Sequence, residues 1–416
     1  MRNNGLFRAL KNNQAASLFS RICVLLAVCI VAVFLASCGL SKNVVEVSEA
    51  QSVATSEAQS VAASHIYGSS FDKLPAVYFR YIPAEGISAD SKIKFSENSP
   101  AKGLRVLNYH FESVYGAPQD ISIIEIDPRK YRFKVVDHKG LKRTSAVAEE
   151  AGAVAAMNGT FYDMKKGGSV CYLQIDGQVA DTTKGNDMRL RANGAVVIRN
   201  GKLSVESWSP EKEILYKECF LKDFNRFNYA DQTRHSKSEH TIHSKYGNTI
   251  KRSQNKNVSV MATMPLLIKD GYAVELIYYK GFSDKRHPRS VVFEKDGKIC
   301  LMVIDGRSKG NASGMTLDEV QRYLQSMDNG KGCQNAVNLD GGGSSTLWIK
   351  PSSQYTNTQA TTAQAPSAQS QSAQTPSSQT PSAQTQSGVV NHPSDNGKFD
   401  HKGERRVANS IIVVAK

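Results

Sequence analysis

The chain has 416 residues, with 52 Lys and Arg against 38 Asp and Glu, for a net charge of +14. Such a balance points to an anionic partner: a phosphorylated glycan, an anionic lipid or an acidic polymer. Setting aside an N-terminal leader and stalk leaves roughly 345 residues, enough for one large domain or two small ones.

Arg2, Arg8, Lys11 and Arg21 make a basic leader without an acid, and an apolar run from Ile22 to Ala36 follows. That run is too short for a membrane span and suits the apolar part of an export signal. It ends in Leu35-Ala36-Ser37-Cys38-Gly39, which resembles a bacterial lipobox. Residues 1–37 are therefore expected to be a lipoprotein signal peptide, with Cys38 as the lipidation site. The mature chain is expected outside the cytoplasm, on a periplasmic or cell-surface membrane face, held by lipid. An export signal argues against nucleic acid as the partner. Residues 38–70 read as a disordered stalk, because Ser, Ala, Val, Glu and Gln dominate and Glu49–Ala54 nearly recurs as Glu57–Ala62.

Residues 71–416 hold the fold. Arg105–His110, Asp120–Ile126 and Tyr131–Val136 read as strands, with Asp127-Pro128 ending the second. Ser145 is the expected N-cap of a short helix through Glu150, which Gly152 stops. Ala153–Met157 then forms a strand that delivers Asn158-Gly159-Thr160 to its end. Gly194–Arg199 and Lys202–Val205 form a hairpin across Asn200-Gly201, the strongest short hairpin signal. The polar stretch Arg234–Lys256, with His235, His240 and His243, reads as a solvated insertion.

A second hairpin, Ser290–Lys295 and Lys298–Ile304, turns at Asp296-Gly297. It brings Arg286 and Arg289 to the same sheet end as Asp305-Gly306-Arg307. Arginine meets phosphate through a planar two-pronged contact, so phosphate contact is expected from at least one of Arg286, Arg289 and Arg307. Thr316 and Glu319 have capping-box spacing ahead of an apolar face of Leu317, Val320, Tyr323, Leu324 and Met327. Ala336, Val337 and Leu339 suit a buried strand ending at Asp340. Gly341, Gly342 and Gly343 follow, and Ser344–Ile349 resume a strand. Residues 352–387 are almost wholly Ser, Thr, Gln, Ala and Pro, a low-complexity insert in a hairpin loop. Val407–Ala415 is the last strand and returns Arg405 and Asn409. Many strands and few helices, without strand–helix alternation, give an α+β class. A single strand-rich domain with a mixed sheet is expected.

Four cysteines remain after Cys38: Cys171, Cys219, Cys300 and Cys333. Three pairings are open, and a buried free thiol at Cys300 is equally consistent.

Asn338-Leu339-Asp340-Gly341-Gly342-Gly343-Ser344-Ser345 resembles the signature of the phosphodiester glycosidase family. Other blocks resemble it in the same order: Asn158–Tyr162, Pro265-Leu266-Leu267 with Gly271, Arg286–Ser290, Ile304–Arg307, Gly314–Leu317, Asn391–Asp395 and Glu404–Asn409. The resemblance spans roughly residues 100 to 416. It implies hydrolysis of a sugar-1-phosphodiester, of the N-acetylglucosamine-1-phosphodiester kind, to free sugar and a phosphomonoester. Asp340, Asp305, Arg307 and Asn158 are then candidate catalytic residues. Arg286, Arg289, Thr160, Gly341, Gly342, Ser344, Ser345, Arg405 and Asn409 are candidate substrate contacts.

A phosphomonoester leaves readily, which relaxes the demand for a strong acid on the leaving oxygen. What remains is to neutralise phosphate and to position a nucleophile. The residues do not assign base or nucleophile between Asp340 and Asp305. No cofactor is called for, although a carboxylate-rich pocket has room for a divalent cation. The expected partners are a phosphorylated glycan as substrate and a membrane reached through the lipid; no obligate protein partner is evident. A metal-dependent phosphodiesterase and a non-catalytic lipoprotein binding anionic envelope glycan are the competing readings.

Overall fold

Short alternating segments divide their side chains between two faces, and that alternation builds the layers. The computed structural model describes residues 76–88, 91–217, 241–243, 249–251, 257–351, 361–364 and 388–416. The leader, Cys38, the stalk, Cys219, His235 and His240 lie outside the described residues.

In chain order the helices with both ends among the described residues are α1 (Ala76–Phe79), α2 (Thr144–Glu150), α3 (Asn186–Arg191) and α4 (Leu317–Gly330). The first strands are β1 (Lys92–Ala101), β2 (Leu104–Val114), β3 (Ala117–Ile126), β4 (Tyr131–Arg143) and β5 (Ala155–Asn158). Next come β6 (Leu173–Ile175), β7 (Gln178–Asp181), β8 (Gly194–Arg199), β9 (Lys202–Ser207), β10 (Thr241–His243) and β11 (Thr249–Lys251). Then follow β12 (Val258–Thr263), β13 (Leu266–Lys269), β14 (Tyr272–Ala273), β15 (Arg289–Lys295) and β16 (Lys298–Ile304). The last are β17 (Asn335–Asn338), β18 (Leu347–Ile349), β19 (Thr361–Gln364) and β20 (Arg406–Ala415).

A nine-stranded sheet runs β14-β13-β17-β15-β16-β3-β2-β1-β19, beside a five-stranded sheet β7-β6-β12-β8-β9 and a four-stranded sheet β18-β5-β20-β4. Every ladder among the described residues is antiparallel, which corrects the expectation of a mixed sheet. The hairpin turns explain much of this, since a tight turn can only reverse the strand. The strand-rich α+β class stands, with Tyr67–Lys416 as one compact unit.

On β3, Ile121 and Ile123 join one core cluster, while Ile124 and Ile126 join another. Cys300 and Met302 of β16 follow the first face, and Leu301 and Val303 the second. The first cluster packs under α4 through Leu317, Val320, Tyr323 and Leu324. The second lies against residues of both smaller sheets, including Met157, Val196, Leu347 and Ile411. A strand buried on both faces explains the near-continuous apolar runs.

Local signals read from the sequence are visible. Asn200-Gly201 and Asp296-Gly297 turn with positive φ at both positions, and Thr316 with Glu319 closes a complete capping box. Ser145 differs from expectation. The N-cap of α2 is Arg143, without a side-chain cap; Ser145 lies inside the first turn. Its N–H and hydroxyl both donate to the Glu404 carboxylate, at 2.8 and 2.5 Å. A carboxylate from 259 residues away thus satisfies the free N–H at this helix start.

Cys171, Cys300 and Cys333 are buried free thiols, so no pairing forms among these three. Burial pushes the Cys171 and Cys333 thiols up to about 12. The low-complexity insert contributes β19, which pairs with Lys92–Phe95 at the edge of the large sheet. An open sheet edge accepts backbone pairing even from a polar segment. Likewise β10 and β11 pair within the polar insertion. No helix among the described residues is long and apolar enough to cross a membrane.

Candidate active site

Strand β17 belongs to the large sheet and β18 to the four-stranded one. The stretch between them is therefore a passage from sheet to sheet. Leu339 is still buried, Asp340 is partly open, and Gly342–Ser344 form one 3-10 turn. The strand expected from Ser344 begins only at Leu347, because the turn consumes the first hydroxyl residues.

Asn158, at the end of β5, ties this passage together. Its Nδ2 donates to the Asp340 carbonyl at 2.7 Å. Its Oδ1 accepts from Ser290 Oγ at 2.8 Å and from the Thr346 N–H at 3.0 Å. Asp340 N–H in turn donates to the Gly159 carbonyl at 3.1 Å. Asn409 of β20 holds the next residue, accepting from Thr160 N–H at 2.8 Å, while Thr160 Oγ1 donates to the Ala262 carbonyl at 2.7 Å. Asn158, Thr160 and Asn409 thus shape the backbone around Asp340.

Burial pushes the Asp340 carboxyl up to about 6, against the pull of the Ser344 hydroxyl, the Arg405 charge, the Gly341 N–H and the Arg307 charge. Protein atoms crowd its carboxyl although the residue keeps some open surface. Tyr162 lies in the same group, its phenol raised first by burial and further by Asp340. Its hydroxyl donates to the Arg406 carbonyl at 3.0 Å. Ser345 Oγ, Thr346 Oγ1 and Asn409 Nδ2 are buried there without a hydrogen-bond partner. Buried polar groups are nearly always paired, so a cluster of such orphans marks a place built to take a polar ligand or water.

All three glycines are there for close approach: a Cβ on Gly341 would lie 2.6 Å from the Pro288 carbonyl oxygen. Gly342 has φ 63°, and a Cβ on it would lie 2.8 Å from Arg307 Nη2. A Cβ on Gly343 would overlap Arg405 and Asp395. The left-handed φ of Gly342 favours glycine, and the bare backbone at Gly342 and Gly343 lets the two arginines lie against it. Arg307 is exposed, and among the described residues its guanidinium has no hydrogen-bond or ion-pair partner. Arg405 is paired with Asp395.

The structure does bring Arg286, Arg289 and Arg307 to one end of the large sheet, where Arg289 pairs with Ile304. Two of them are committed elsewhere. Arg286 grips Glu319 with Nε at 3.0 and 3.1 Å and donates to the Tyr115 carbonyl. Arg289 is 1% exposed. It donates to the carbonyls of Met315, Phe282 and Lys285 at 2.9, 2.7 and 2.9 Å. Burial lowers its guanidinium to about 10.

Asp305 and Asp340 have separate partners. Asp305 is 1% exposed, and its Oδ1 accepts from Asn391 Nδ2 at 2.8 Å. Its Oδ2 accepts from His392 N–H at 2.8 Å and faces His392 Nδ1 at 3.1 Å. Burial and the neighbouring Asp120 raise its carboxyl, while His392 and Asn391 pull it down. Asn391 links the two regions: its Nδ2 also reaches the Ser345 carbonyl at 3.2 Å, and its Oδ1 accepts Leu347 N–H at 2.8 Å. Tyr162, Asn391 and His392 were within the quoted motifs but not singled out. Asp120 carried no signal beyond its place in a strand.

The phosphodiester glycosidase family profile matches residues 151–414. The chain belongs to the phosphodiester glycosidase family. The match covers Asn158, Asp305, Arg307, Asp340 and Arg405, and excludes Asp120. No curated protein matches the chain. One similar solved structure is a hypothetical protein from Synechocystis, at 14% identity and TM-score 0.44 over 77% of this chain; the chain spans 64% of that protein's length. Another is the catalytic domain of zebrafish N-acetylglucosamine-1-phosphodiester alpha-N-acetylglucosaminidase, auto-inhibited by its pro-peptide. There the identity is 16% and the TM-score 0.43, covering 83% of this chain and 94% of that one.

Proposed function

We propose that this member of the family is a hydrolase that cleaves a sugar-1-phosphodiester, of the N-acetylglucosamine-1-phosphodiester class, to free sugar and a phosphomonoester. The observation that carries the reading is Asp340 with Arg307 close enough to act on its charge, the guanidinium lying against Gly342. One is a carboxyl raised to about 6, the other an uncommitted guanidinium.

The substrate carries one negative charge on phosphate. Arg307 meets it with two parallel N–H donors, and Arg405 adds positive potential. Asp340, ionised near neutral pH, takes a proton from water as the water oxygen bonds to the anomeric carbon. The bond from that carbon to the phosphate oxygen breaks, and its electron pair departs with the phosphomonoester. The hydroxyls of Ser345 and Thr346 and the Asn409 amide offer partners to sugar or phosphate oxygens.

Hydrolysis in water enriched in heavy oxygen tests the reading. Label is expected in the sugar and not in the phosphate. The phosphate is the stable record, because the sugar's anomeric oxygen exchanges. Label in the phosphate overturns the glycosidase and favours attack on phosphorus. We also propose that the enzyme works outside the cytoplasm on a lipid held at Cys38. Cys38→Ser is expected to release it from membranes; a variant still found in the membrane fraction overturns the anchor.

A further inference from the structure

We propose that Asp120, Asp305 and His392 form a site for one divalent transition-metal ion, zinc or manganese in class, that braces the active-site loop from behind. The three offer one donor atom each, all within 4.8 Å of one another. Donors about 2.0–2.2 Å from a shared ion stand roughly 3–4 Å apart, so small side-chain rotations close the set.

The charges call for a cation. Asp305 is nearly fully buried, and a carboxylate oxygen of Asp120 lies within 4.8 Å of one of its own. The ion-pair partners of these two acids are histidines: His392 Nδ1 at 3.1 Å from Asp305 and 3.9 Å from Asp120, and His110 Nδ1 at 3.4 Å from Asp120. No Lys or Arg among the described residues pairs with either. Two adjacent carboxylates in a low-dielectric setting repel, and a doubly charged ion offsets that repulsion.

The surroundings match those of a metal ligand set. Asn391 Nδ2 and the His392 N–H fix both Asp305 oxygens, as outer-shell donors orient a ligating carboxylate. The His392 ring is stacked against Phe399 at 3.9 Å and His401 at 4.5 Å, which sets its plane. A cavity of about 250 Å³ opens beside it, lined among others by His110, Asp120, His392 and His401. It supplies an entry path and a fourth ligand, either His110 or water. One imidazole with two carboxylates suits zinc or manganese over calcium, which prefers an all-oxygen set.

Such an ion would join three separate segments: β3 through Asp120, the end of β16 through Asp305, and the segment after the insert through His392. Asn391 passes that restraint to Ser345 and Leu347 of the Asp340 loop. The ion does not touch the reacting atoms in this arrangement.

The test uses the full chain, purified without a polyhistidine tag and stripped with chelator. Metal content and calorimetric titration with zinc or manganese are expected to give one equivalent. Tm is expected to rise by about 5 °C at roughly a hundred times Kd. Asp120→Asn, and independently His392→Phe, which keeps the ring stack, should lose that equivalent and the Tm rise. A wild type that binds neither ion overturns the proposal. So does a folded variant that binds with unchanged stoichiometry and affinity, which would place the ion elsewhere.

Discussion

Asn158 Nδ2 and the Asp340 carbonyl are joined at 2.7 Å across 182 residues of sequence. The same side chain fixes Ser290 and Thr346, so one amide sets the passage between two sheets. Asn158→Ala should leave three buried groups unpaired and cost about 2–4 kcal/mol, because each orphan carries its own desolvation penalty. We predict a clear fall in Tm together with a loss of kcat at temperatures where the variant remains folded. Retained kcat in the folded variant would mean the loop keeps its shape without this tie.

Asp340 should impose a pH dependence on both rate and stability. Its carboxyl sits near 6 in the folded chain against 3.8 as the reference value. Between those values the folded state holds a proton that the unfolded state has released. This group therefore favours folding at low pH, and its contribution fades as pH rises through about 6. Asp340→Asn should remove that component from a stability profile measured between pH 4 and 7. As the base, Asp340 should make the wild-type rate climb about tenfold per pH unit below 6 and level off above it. A rate that falls above pH 6 would make Asp340 an acid instead.

Local chemistry was legible in the sequence. Two turns and the Thr316–Glu319 box depend on residues within four positions of each other, and all three appear. The clustering of Asn158, Arg307, Asp340 and Asn409 was legible only through the family resemblance. What the sequence did not reveal is non-local. Glu404 reaches Ser145 from the far end of the chain, and carbonyls of Phe282, Lys285 and Met315 absorb Arg289. Equal residue types can thus have unequal roles: Asp305 and Asp340 both follow a strand, yet one faces His392 and the other the two arginines.

The insert 352–387 should be replaceable by a short Gly-Ser turn. The chain on either side already closes a ladder: Ile349 N–H donates to the Gly388 carbonyl at 2.9 Å and Val390 N–H to Leu347 at 2.8 Å. An eightfold shorter loop costs about 2 kcal/mol less to close. Against that gain stands the loss of β19 from the β1 edge. We predict a Tm within a few degrees of wild type and unchanged kcat. A fall of tens of degrees would show that the insert carries part of the core.

The three arginines at the end of the large sheet should separate by what they disturb. Arg307 is exposed and lacks a protein partner among the described residues, so Arg307→Ala should leave Tm nearly unchanged. Losing a two-pronged contact to phosphate should lower kcat/KM about 10²–10³-fold. Arg307→Lys should recover little of this, since an ammonium cannot copy the planar fork. Arg289→Ala should act the other way. It strands the carbonyls of Met315, Phe282 and Lys285 in a buried position, at a cost of about 3 kcal/mol or more. Arg286→Ala should lie between, freeing a Glu319 carboxylate that still caps α4 through Thr316 N–H. Thermal melts and kinetics on the same preparations decide it. If Arg289→Ala melts like wild type but has lost activity, phosphate recognition must be moved from Arg307 to Arg289.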